Sequence, residues 1–66
     1  MNLQERKEAL WAVENAMVDT QVKVDEAGCK EYREMHENDL KGLRHAQILI
    51  LWAINQKEEE EKLLQL

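Results

Sequence analysis

The sequence contains no proline and only two glycines, so it has few of the residues that form the turns between β-strands. Its single cysteine, Cys29, cannot form an internal disulfide and is typical of a reduced, intracellular protein. Long apolar runs are also missing, because the longest, residues 48–54, is far shorter than the roughly 20 residues that span a bilayer. The first seven residues do not resemble a secretory signal. These absences predict a soluble, cytoplasmic and largely helical protein.

Acidic residues are in excess: 14 acidic against nine basic residues give a net charge of -5 over 66 residues. A negative balance repels the phosphates of nucleic acids and anionic lipids. The basic residues are scattered among the acids, as on the solvated faces of helices, and form no dense patch. We therefore expect no direct nucleic-acid binding and no membrane association.

The first half of the chain predicts one helix, from about residue 2 to about residue 27. Asn2, followed three residues later by Glu5, predicts a capping box at its start. Large apolar residues then recur every seven positions, which predicts one core-facing seam. The seam consists of Leu3, Leu10, Met17 and Val24, with Ala9, Val13 and Ala16 on the same face.

A chain reversal is predicted at residues 28–29, where the first repeat ends. Gly28 suits the left-handed backbone position that often closes a helix. A second helix is then expected from about residue 30 to about residue 64, and the reversal would pair residues whose numbers add to about 57. Its apolar repeat is Cys29, His36, Leu43 and Ile50, broadened by Tyr32, Leu40, Ala46, Ala53 and Ile54.

The predicted fold is therefore all-α, an antiparallel two-helix hairpin that forms one domain over residues 1–66. Two alternatives are a third helix that begins at Asn38-Asp39 or a kink of the second helix at Gly42. A single unbroken rod is a further alternative, although the break in the repeat at Gly28 argues against it.

The C-terminal end of the second helix carries Glu58 to Glu61, where the helix dipole disfavours carboxylates. We expect these last turns to fray and to be solvated. The alternative is a docking tail for a partner, formed by Leu63, Leu64 and Leu66.

A second set of large apolar residues lies outside the seam, about 100° around the first helix and on several sides of the second. A chain this short, with neither a disulfide nor a metal site to stabilise it, usually needs a second subunit. We therefore expect a homodimer with a four-helix arrangement, in which this set is buried between subunits. A groove for a different protein is the alternative, and tryptophan suits either role. The predicted interface residues are Trp11, Val18, Val22, Ile48, Leu49 and Trp52.

Residues suited to catalysis or metal binding are few and poorly spaced. Cys29, Tyr32 and His36 share a helix face, but Cys29 and His36 are about 10 Å apart along the axis, too far for a nucleophile and its base. Adding His45 does not produce the spacing of zinc ligands, and there is no glycine-rich loop for a nucleotide. The sequence predicts no enzyme activity, no metal and no cofactor.

Size, acidity, the lack of proline, the single cysteine and the helical pattern together resemble the small accessory or early proteins of temperate phages and other mobile elements. The resemblance extends over the whole chain in general character and includes no motif, so it assigns no role to any residue. It implies a non-enzymatic modulator that binds a host or phage protein. The predicted function is a dimeric protein–protein interaction module, and the alternative is an acidic DNA mimic that inhibits a DNA-binding protein.

Overall fold

The computed structural model describes residues 1–65 and contains two helices, α1 (Leu3–Glu26) and α2 (Lys30–Leu64), which pack against each other. Residues 27–29 connect them, and the molecule measures 56 × 14 × 14 Å. The predicted all-α hairpin is confirmed. Helix α2 continues through residues 38–42 without interruption, so the third-helix alternative is wrong. The break at residues 27–29 shows that the single-rod alternative is wrong as well.

The start of α1 is fixed by the predicted capping box. The Glu5 backbone N–H donates to Asn2 Oδ1 at 2.8 Å, and the Asn2 backbone N–H donates to Glu5 Oε1 at 3.1 Å. These two bonds satisfy donors that would otherwise lack a partner at a helix N-terminus.

The connection between the helices is made by extended backbone. Ala27 has φ -60° and ψ 125°, and Cys29 has φ -146° and ψ 162°. Within residues 1–65 no residue has a positive φ, so the predicted left-handed position at Gly28 is wrong. The physical reason is that Ala27 closes α1 by donating its N–H to the Val24 carbonyl at 3.3 Å and then leaves the helix in the β region.

The two helices meet along a seam of half-buried or buried residues spaced three and four positions apart, the spacing of a coiled coil. On α1 these residues are Leu3, Arg6, Leu10, Val13, Met17, Thr20 and Val24, with Ala27 continuing the series into the connection. On α2 they are His36, Leu40, Leu43, Gln47, Ile50, Ile54, Lys57 and Glu61.

Two members of the predicted second repeat do not belong to this seam. Cys29 and Tyr32 are exposed, because α1 has already ended at Glu26 and leaves no helix opposite the first turn of α2. Interhelical hydrogen bonds join Arg6 to Ala53 and Gln47 to Glu14, pairs whose numbers add to 59 and 61, close to the predicted sum of about 57.

Burial between the helices is slight. Leu40 and Ile54, each 6% exposed, are the two buried side chains within residues 1–65, and both lie on α2. Six of the seam positions are polar or charged, which limits the apolar area that the hairpin removes from water. A single two-helix layer with so thin a core has only a few kcal/mol of net stability. The polar seam residues are Arg6, Thr20, His36, Gln47, Lys57 and Glu61.

Gly42 offers a simple test of the helix assignment. It lies in the middle of α2, is exposed, and has nothing within 4 Å of an added Cβ. Gly42→Ala should therefore raise the free energy of unfolding by about 0.5–1 kcal/mol, because alanine loses less backbone entropy in a helix. Thermal unfolding followed by circular dichroism measures the change. Ala12→Gly, exposed on α1, is the reciprocal control and should destabilise by a similar amount; a lower melting temperature for Gly42→Ala would contradict the assignment.

Candidate protein interaction surfaces

All six residues of the predicted interface are exposed in the single chain. Their exposed fractions run from 46% for Val22 to 69% for Trp11. Large apolar side chains are costly to leave in water, and grouped exposure of this kind marks interaction sites in soluble proteins. The positions of the six on the two helices decide which of them can act together.

Three of them form a stripe on the side of α1 that faces away from α2, which we call the α1 outer stripe (Trp11, Val18 and Val22). Each has a half-buried residue two positions before it and two positions after it, on the side of α1 that faces α2. Two positions correspond to about 200° around a helix, so a residue flanked in this way lies opposite the seam. The predicted offset of about 100° refers to Leu3 and its heptad partners, which form only one edge of the seam; the stripe lies farther around the helix from the centre of the whole seam.

Helix α2 carries a matching α2 outer stripe (Ile48 and Trp52), again on the side that faces away from its partner helix. Ile48 lies between half-buried Ala46 and the seam residue Ile50, and Trp52 lies between the seam residues Ile50 and Ile54. Leu49, 54% exposed, lies on the flank of the helix, next to Ile50. The two outer stripes are therefore on opposite sides of the hairpin, and one chain does not bring all six residues together.

Charged residues of opposite sign lie at the two ends of the α2 outer stripe. Lys41 is seven residues before Ile48, and Glu59 is seven residues after Trp52, so all four share one side of the helix. The ion pairs within residues 1–65 are Lys30–Glu34, His36–Asp39 and Lys57–Glu60. Lys41 and Glu59 take part in none of these, and both are exposed.

Arg6, one of the basic residues expected on a solvated face, is a half-buried seam residue. Its Nη1 donates to the Ala53 carbonyl of α2 at 2.6 Å, and its Nε donates to the Met1 carbonyl at 3.0 Å. The small side chain of Ala53 leaves that carbonyl accessible. A signal was present in the sequence, since Arg6 lies three residues after Leu3 and four before Leu10. Its hydrogen bonds hold the start of α1 against α2 at the end of the hairpin that is farthest from the connection at residues 27–29.

The predicted docking tail lies on a part of α2 that extends past α1. Helix α2 has 35 residues and α1 has 24, so about 16 Å of α2 in total, divided between its first turn and its C-terminal end, has no helix beside it. Leu63 and Leu64 are exposed at the C-terminal end, the latter at 86%, and Leu66 lies outside the described residues. The end of α2 is thus open to a partner along several sides.

The side chains considered for chemistry do not gather into a site. Cys29 is exposed at the start of α2. The rings of Tyr32 and His36 stack with centroids 6.2 Å apart, and His36 Nδ1 is 3.9 Å from an Asp39 carboxylate oxygen. Over residues 1–65 no three His, Cys, Asp or Glu side chains are grouped to hold a metal ion. No helix in this part of the chain is long and apolar enough to cross a membrane.

Comparison with known proteins gave no match to a family model, to a curated protein or to a solved structure. The assignment of function therefore depends on the exposed apolar stripes, the charges beside them and the thin seam between the helices.

Proposed function

We propose that this protein is a non-enzymatic protein–protein interaction module that acts as a homodimer of helical hairpins. The observation that carries the proposal is the exposure of large apolar side chains on the outer sides of both helices, Trp11 at 69% and Trp52 at 63% among them. Tryptophan is strongly enriched among the residues that dominate binding energy at protein interfaces. Covering these side chains with protein removes an apolar surface from water.

The weakness of the seam supports dimerisation. With Leu40 and Ile54 as the buried side chains among residues 1–65, one hairpin removes little apolar surface from water. Each further large side chain that a second subunit buries contributes about 1.5–3 kcal/mol, against an association cost of several kcal/mol. A dimer therefore stabilises the fold as well as forming a complex.

Because the two outer stripes lie on opposite sides of the hairpin, we assign them different roles. A two-fold dimer uses the same patch on both subunits, so a dimer formed through one stripe leaves the other exposed. The remaining stripe is then available to a different protein. Following the resemblance to accessory proteins of temperate phages, we propose that this partner is a host or phage protein whose activity the dimer modulates in the cytoplasm.

Partner capture with paired variants tests the proposal. The tagged full-length chain, expressed in cells of its source, should retain a protein partner, and Trp11→Ser should reduce its recovery about tenfold or more, because a central tryptophan often contributes 2 kcal/mol or more. Asp19→Ser, exposed on the same helix but off the α1 outer stripe, should leave recovery unchanged. Quantitative mass spectrometry of the captured proteins is the measurement.

The same capture experiment shows whether the partner binds the α1 outer stripe or the docking tail. If Leu63→Ser, and not Trp11→Ser, removes the partner, the docking tail is the binding surface. Equal recovery with every variant, or recovery of this protein alone, would contradict a specific partner on either surface.

A further inference from the structure

We infer that the α2 outer stripe binds the same stripe of a second copy, with the two α2 helices antiparallel about a two-fold axis level with Ile50. The inference rests on the proposed homodimer and deepens it by naming the contact. Its basis is the arrangement of charged and apolar side chains on one side of α2.

The centre of the stripe is suited to self-pairing. Ile48 and Trp52 are two residues before and two residues after position 50, so antiparallel pairing places Ile48 of each copy opposite Trp52 of the other. The two side chains are one helical turn apart and adjacent on the surface. Four exposed large apolar side chains, two from each copy, would therefore form one continuous contact.

The ends of the stripe are complementary in charge. Lys41 is nine residues before position 50 and Glu59 is nine residues after it. In the antiparallel pair, Lys41 of each copy lies opposite Glu59 of the other, so the interface has an attractive pair at both ends. Within residues 1–65 neither side chain has an ion-pair partner in its own chain, which leaves both free for this contact. A two-fold interface requires this kind of self-complementarity.

The α1 outer stripe is less suited to a second copy. Antiparallel self-pairing that places Trp11 on Val22 would bring Asn15 into the middle of the contact, opposite Val18. An amide buried there without a partner is unfavourable. The α2 pairing has no polar residue between its two central side chains, and its own polar residues on that side, His45 and Asn55, lie outside the centre and opposite each other.

The α2 outer stripe lies opposite the seam, and this position determines the shape of the dimer. Because the α2 outer stripe faces away from α1, the second copy approaches α2 without contacting α1. The four helices then lie side by side in the order α1, α2, α2, α1. Glu59 is on the part of α2 that extends past α1, where a second copy can reach it.

Charge reversal at the two ends tests the pairing. Lys41→Glu and Glu59→Lys each replace two attractive contacts with two repulsive ones, so each variant alone should raise the dimer dissociation constant about tenfold. An equimolar mixture of the two variants restores opposite charges at both ends. The mixture should therefore form a heterodimer with an affinity within about threefold of wild type. Sedimentation equilibrium of the full chains measures all of these affinities.

Glu58→Lys is the matched control. It makes the same charge change one position away, about 100° around the helix and off the stripe, so it should change the dissociation constant less than threefold. All substituted positions are exposed, and circular dichroism should show unchanged helix content in each variant.

The affinities of these variants distinguish a failure of the α2 pairing from a failure of the proposed homodimer. A wild-type dimer whose mixed variants do not recover affinity would overturn the α2 pairing while the homodimer stands. Dissociation by Trp11→Glu, with the charge variants unaffected, would assign the contact to the α1 outer stripe instead. A wild-type chain that is monomeric at about 200 µM would overturn the inference and the homodimer together.

Discussion

Replacing Leu40 with alanine should lower the free energy of unfolding by about 2–4 kcal/mol, the usual cost of removing a buried leucine side chain. Leu40 is 6% exposed and is one of two buried side chains within residues 1–65. A hairpin with so few buried residues has only a few kcal/mol of net stability, so we expect this one change to unfold most of the protein. Urea denaturation followed by circular dichroism measures the effect.

Leu64→Ala is the matched control for this prediction. Leu64 lies on the same helix but is 86% exposed, so the identical change should alter stability by less than about 0.5 kcal/mol. Equal costs at the two positions would show that Leu40 is not part of a hairpin core.

Helix positions and seam faces were predictable from the sequence because both depend on local patterns. The capping box at Asn2 and Glu5 requires only four consecutive residues, and the structure shows it as predicted. The seven-residue repeat of Leu3 and its partners marks the face of α1 that meets α2. The lack of proline allows α2 to run through 35 residues.

The register of the two helices is less well determined by the sequence. A slip of three or four positions keeps the same face of a helix in contact, so apolar residues meet apolar residues in more than one register. The extended connection at residues 27–29 and contacts such as that of Arg6 with Ala53 select among these registers, and no apolar pattern reveals either.

The residues of the candidate surfaces could be predicted from the sequence, but their division between two sides of the hairpin could not. Sequence periodicity identifies Trp11 and Trp52 as lying outside the seam of their own helices. It does not locate the centre of the seam, which depends on how polar side chains such as Arg6 and Thr20 are accommodated between the helices. Once that centre is known, the two tryptophans lie on opposite sides of the hairpin, and one two-fold contact cannot bury both.

A homodimer that folds as it associates should melt at a temperature that depends on its concentration. The unfolding enthalpy of proteins is about 0.7 kcal/mol per residue near 60 °C, so two 66-residue chains give roughly 90 kcal/mol. For a dimer that unfolds to two separate chains, this enthalpy corresponds to a rise in melting temperature of about 5 °C for each tenfold increase in concentration. Scanning calorimetry and circular dichroism together cover a hundredfold range of concentration.

Two tryptophan variants then identify the stripe on which this stability depends. Trp52→Glu places a carboxylate in the centre of the inferred contact, so the melting temperature should fall and should no longer change with concentration. Trp11→Glu makes the same change on the opposite side of the hairpin, at a similarly exposed position, and should keep the concentration dependence of the wild type. Wild-type melting that is independent of concentration over the whole range would mean that the hairpin folds alone, and that its exposed tryptophans contact some other protein rather than a second copy.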